Sequence, residues 1–84
     1  MPIYMVQRSL PGITMDELAA AQKRAIQVTN ELTSQGRPVR YIRSTFAMGE
    51  DTCTCLFEAP DMEIVREANV IAGIPFERIV LIVD

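Results

Sequence analysis

Two thiols, two phenols and a few charged side chains carry whatever chemistry this chain performs. Cys53 and Cys55 are two residues apart, a spacing that turns both to one side of a strand and would let them share a soft metal ion. A structural zinc site wants four nitrogen or sulfur ligands, however, and the chain holds 2 Cys and 0 His. The missing histidine also removes the usual general base at neutral pH, so Ser9, Ser34 and Ser44 lack the partner that would activate a nucleophile. Free Cys is among the most buried residue types, and the two thiols are assigned to the core. Glu58 is the carboxylate whose surroundings, a strand with adjacent tyrosines, favour a raised pKa, and on that condition it is a general-base candidate. Arg8 and Arg43, with Tyr4 and Tyr41, suit a carboxylate or another anion, which a guanidinium binds through two parallel hydrogen bonds. Glu50-Asp51 reads as turn polarity, and Asp61 with Glu63 as the acidic start of a helix.

The elements that must position these groups are legible in the pattern. Ile3 to Arg8 is rich in β-formers and ends in the turn residues Ser9-Leu10-Pro11-Gly12, so it reads as a strand. Thr14-Met15-Asp16-Glu17 has the form of a capping box. A helix follows to about Thr33, with Leu18, Ala21, Ala25, Val28 and Leu32 on its apolar stripe. Val39 to Met48 and Thr52 to Ala59 read as two strands of a hairpin, joined at Gly49-Glu50 by a tight type II′ turn. Asp61 is an N-cap for a helix over Met62 to Ala72, with Val65, Ala68 and Ala72, joined by Ile64 and Ile71, as its buried stripe. Gly73 and Pro75 stop that helix. Arg78 to Val83 is an almost continuous apolar run, the mark of a strand covered on both faces.

The order β-α-β-β-α-β is the ferredoxin-like α+β arrangement, a four-stranded antiparallel sheet with two helices on one face, and residues 1–84 fit a single domain. A hairpin turning at Gly49-Glu50 sets Phe46 opposite Cys53, Ser44 opposite Cys55 and Ile42 opposite Phe57 on the helix-facing side. Tyr41, Arg43 and Glu58 then fall on the open side. If Ile3 and Met5 point to the core, Tyr4, Val6 and Arg8 join them there. The expected open face thus combines an apolar patch with Tyr4, Arg8, Tyr41, Arg43 and Glu58, and such patches mark interfaces. A second copy of the chain is its expected cover.

Composition narrows the partners. Eight Lys+Arg against eleven Asp+Glu give a net charge of -3, with no basic stripe of the kind nucleic-acid binding requires. No apolar run is long enough to span a bilayer, and Met1-Pro2-Ile3-Tyr4 lacks the basic head and apolar stretch of a signal peptide. These features point to a cytoplasmic protein without a membrane or nucleic-acid partner. Hydrophobic residues make up 49% of the 84, but aromatics only 6%, so the core must be thin and aliphatic.

The segments Cys55-Leu56-Phe57-Glu58-Ala59-Pro60-Asp61, Val65-Arg66-Glu67-Ala68 and Ala72-Gly73-Ile74-Pro75, with Tyr4-x-Val6-x-Arg8 at the front, carry a resemblance. The chain resembles, over essentially its whole length, a family of small bacterial domains of unknown function whose best-known relative is an actinobacterial nickel-binding protein. That resemblance implies a ferredoxin-like fold that dimerises, and it marks Tyr4, Val6, Arg8, Cys55, Glu58, Ala59, Pro60, Gly73 and Pro75 as motif residues. A nickel site built on histidine has no counterpart here.

The function expected is a non-enzymatic binding or assembly module, a homodimer with a pocket for a small anionic ligand near Tyr4, Arg8, Tyr41, Arg43 and Glu58. No catalytic residue, resident metal or cofactor is assigned. The alternatives are a cofactor-free dimeric α/β-barrel enzyme of oxygenase or isomerase type using Glu58 or Tyr41, and a divalent-metal binder using carboxylates or thiolates.

Overall fold

Strong local signals set the helices. In the computed structural model, which describes residues 1–83, Thr14 caps helix α1 (Met15–Ser34). Its hydroxyl accepts from the Glu17 amide at 3.1 Å, while its own amide donates to Glu17 Oε1 at 3.0 Å. That second bond holds the Glu17 carboxyl below its usual value. Asp61 caps α2 (Met62–Ala72), accepting from the Ile64 amide at 3.1 Å. Gly73 ends α2 in the left-handed region, φ 70°, where a side chain is disfavoured.

The strands are β1 (Ile3–Ser9), β2 (Arg40–Ala47), β3 (Thr52–Glu58) and β4 (Arg78–Ile82), antiparallel in the order β2-β3-β1-β4. The ferredoxin-like reading holds, and so does the hairpin register of Phe46 against Cys53 and Ser44 against Cys55. The turn itself is longer than expected. Residues Met48 to Asp51 connect the strands, Glu50 donates to the Ala47 carbonyl at 3.1 Å, and the left-handed residue is Asp51, φ 56°. Gly49 is therefore not the residue that turns the chain.

Three further expectations are corrected. First, β1 presents the opposite side to the helices: Tyr4, Val6 and Arg8 are buried, facing Phe57, Cys55 and Cys53 of β3, while Ile3 and Met5 lie on the open face. Both alternating sets in β1 contain apolar residues, so period alone does not choose between them. Second, a bulge between Tyr41 and Arg43 shifts the ladder. Tyr41, rather than Ile42, opposes Phe57 and joins the helix side, with ring centroids 5.6 Å apart at 66°. An extra residue in one strand reverses which neighbours share a face. Third, β4 is an edge strand whose Leu81 is exposed, and Ile71 of α2 faces solvent; neither is enclosed by its own chain.

The core lies between sheet and helices. It joins Leu18, Ala21, Ala25, Val28 and Leu32 of α1 with Ile64, Val65, Ala68 and Ala72 of α2 and the inner face of β1 and β3. Among the described residues, no helix is long and apolar enough to cross a membrane.

Candidate functional site

The alternation of β1 carries Arg8 into this interior, two residues beyond Val6, which is fully buried. Arg8 is 2% exposed. Its Nη2 donates to Asn69 Oδ1 at 2.8 Å and its Nη1 to the Pro75 carbonyl at 3.3 Å, and Nε has no partner. Asn69 is fixed in turn by donating from Nδ2 to the Val65 carbonyl, one turn back along α2, at 2.8 Å. Nearby, Arg24 Nε donates to the Ala72 carbonyl at 3.0 Å. The last turn of α2 has no basic residue of its own, and Arg24 supplies positive charge to its carbonyl end from elsewhere in the fold.

A row of polar groups crosses the inner face of the hairpin towards Arg8. The Tyr41 hydroxyl and Ser44 Oγ are 2.6 Å apart, Ser44 Oγ donates to Cys55 Sγ at 2.9 Å, and the two sulfurs lie 3.8 Å apart. Cys53 is in turn the ladder partner of Arg8. The bulge makes this row possible, because it brings Tyr41 and Ser44, three residues apart, to the same side. Burial pushes the Cys53 thiol up to about 11, with Cys55 adding to the rise and Arg8 opposing it. Burial likewise raises Tyr41, against the hydrogen bond it shares with Ser44. Both thiols are free and buried, as expected of core cysteines, and Cys53 stays in the form that is poorly nucleophilic.

A cavity of about 20 Å³, measured for the centre of a water molecule, is lined by Arg8, Tyr41, Ser44, Cys53 and Cys55 on its polar wall. Leu10, Leu18, Ala21, Ala25 and Ile74 close its apolar side, with Gln22 of α1 completing the ring.

The five residues expected to share a ligand pocket are thus divided between two faces. Tyr4, Arg8 and Tyr41 lie on the helix side, and Arg43 and Glu58 on the open side. Glu58 pairs with Arg40 at 3.2 Å, and the tyrosines expected beside it are across the sheet. Asn69 and Ser44 were not singled out by sequence. Asn69 had a signal, because it follows Val65 by four residues on the buried stripe of α2. Ser44 had one too: its place opposite Cys55 made it the polar member of an otherwise apolar row.

The open face is mainly apolar at its centre. The ladder aligns Val80, Met5, Leu56 and Arg43 in one row, Ile82, Ile3, Glu58 and Arg40 in the next, and Arg78, Gln7, Thr54 and Thr45 in the third. Fold and faces together define a small ferredoxin-like α+β protein with one bare sheet face and a polar row beneath its helices. The family description of nickel responsive proteins like SCO4226 matches residues 4–82, and the chain belongs to that family. Its structure is similar to the crystal structure of SCO4226 from Streptomyces coelicolor A3(2), with a TM-score of 0.82 and 23% identity. The match covers 95% of this chain and 94% of that one, and it establishes the shared fold. No curated protein matches the chain.

Proposed function

We propose that the protein is a non-enzymatic binding and assembly module that works as a homodimer joined through the open face of its sheet. The carrying observation is the row Val80, Met5 and Leu56 at the centre of that face, continued by Ile3 and Ile82 and bordered by Arg40, Arg43 and Arg78. An apolar patch rimmed by charge is the composition of an interface, and a two-fold pairing lets one such patch cover another. Thin cores gain most from this arrangement, because a small domain leaves much of its apolar surface wet.

Catalysis finds less support. Glu58 and Tyr41, the two groups on which an oxygenase or isomerase would depend, lie on opposite sides of the sheet. Nickel, which the family description names, does not fit the residues present in one chain. There is no histidine, and no group of three or more Cys, Asp or Glu side chains converges among the described residues. The adjacent thiols sit beside a guanidinium, and burial keeps the Cys53 proton in place up to about pH 11.

The variant Leu56→Arg tests the interface. It adds a cation to a face already bordered by three arginines, and its side chain points away from the core. The expected result is a sedimentation velocity pattern of single chains with an unchanged far-ultraviolet circular dichroism spectrum. Paired chains in that variant would mean that another surface holds the dimer.

A further inference from the structure

The interior holds a permanent positive charge without a negative partner among the described residues. The ion pairs among those residues are on the surface and engage Arg37, Arg40 and Arg66, not Arg8. A guanidinium does not lose its proton in proteins, so Arg8 cannot relieve its burial by neutralising. Its acceptors, Asn69 Oδ1 and the Pro75 carbonyl, are both neutral, and Nε has none at all. A buried charge is costly unless it is paired. Cys53, its ladder partner, does not supply the missing charge, since that thiol keeps its proton well above neutral pH.

Beside this guanidinium lies a cavity that can accommodate a counter-ion. The 20 Å³ cavity is about the space of one small solute, bounded by Arg8 and by the hydroxyls and thiols of Tyr41, Ser44, Cys53 and Cys55. Their hydrogens are engaged along the row, that of Ser44 on Cys55 Sγ, but these O–H and S–H groups rotate and can be redirected at an anion. The leucines and alanines opposite make that wall apolar, and electrostatic attraction strengthens away from bulk water. One guanidinium calls for one negative charge. The volume limits that ion to a few heavy atoms.

We propose that this cavity binds a small monovalent anion, a halide or a compact carboxylate, with Arg8 as its counter-charge and the Tyr41–Ser44–Cys55 row as its neutral donors. The site lies on the helix side of the sheet, so it does not depend on pairing through the open face. Gln22, Tyr41 and Ser44 are the half-buried members of its lining, and the others are buried.

Bromide and formate are the probes. Crystals of the unmodified protein soaked in sodium bromide should give an anomalous peak within hydrogen-bond distance of the Arg8 guanidinium, and formate should give planar density there. In solution, thermal unfolding should move upward with either salt and saturate, and Arg8→Met should abolish the saturable part. Methionine keeps an unbranched apolar stem in the space of the arginine, and replacing a buried ion by such a group is commonly tolerated. An ordered water alone in the soaked cavity would overturn the proposal, as would the same salt response in Arg8→Met. A thiolate absorbance band at neutral pH that disappears in Cys53→Ala would also overturn it, because the counter-charge would then be internal. The soaked crystals need no variant, so a failure of Arg8→Met to fold leaves the crystallographic result decisive. Sedimentation reads the dimer separately.

Discussion

Arg8 and Cys53 face each other across the β1–β3 ladder, and the same dry surroundings act on them in opposite ways. The guanidinium must keep its charge there, whereas the thiol avoids acquiring one. For Cys53 this has a consequence for stability. Its ordinary value is 9.0 and its folded value about 11. Between those limits the unfolded chain has released the thiol proton while the folded chain still holds it. Stability therefore falls as pH rises through this window, by about 1.4 kcal/mol for each unit of separation. Below pH 9 both states are protonated and the group contributes no pH dependence. Urea unfolding at about pH 8 and about pH 10.5 should show a drop in the wild type that is smaller in Cys53→Ala. Equal drops in the two proteins would mean that the thiol titrates alike in both states.

At the scale of elements, most of the fold was legible because its signals are local. Thr14 with Glu17, Asp61, and Gly73 before Pro75 mark helix ends through bonds that close within a few residues. The hairpin register followed from matching apolar rows. The phase of β1 was not legible, because Ile3 and Met5 are as apolar as Tyr4 and Val6, and Arg8 argued for the wrong side. What settles Arg8 inward is Asn69, 61 residues away, together with the Pro75 carbonyl. The bulge at Tyr41 and Arg43 was equally hidden, since no Gly or Pro marks it. These two misses account for the division of the candidate site: its residue types were identifiable, but the face each occupies depends on long-range partners. Gly73 offers a check at this scale. A Cβ there meets nothing within 4 Å, so Gly73→Ala introduces only the backbone cost of the left-handed conformation. The expected destabilisation is about 1 kcal/mol, read from the urea midpoint, with Gly73→Asn milder. A loss several times larger would point to a packing role that the open space around Gly73 does not suggest.

At the scale of the molecule, two helices cover one side of a four-stranded sheet and leave the other bare. The inner side concentrates the unusual polar groups, and the outer side presents apolar rows edged by arginine. The two faces suit different tasks: the inner one houses a small cavity, and the outer one is the proposed surface for joining copies. Pairing through the open face would also account for the apolar run of β4, whose Val80 and Ile82 are only half-buried on that face in the single chain. The most direct test is sedimentation equilibrium of the unmodified protein at micromolar concentration. The account predicts the mass of two 9.4 kDa chains. A single-chain mass at that concentration would contradict it.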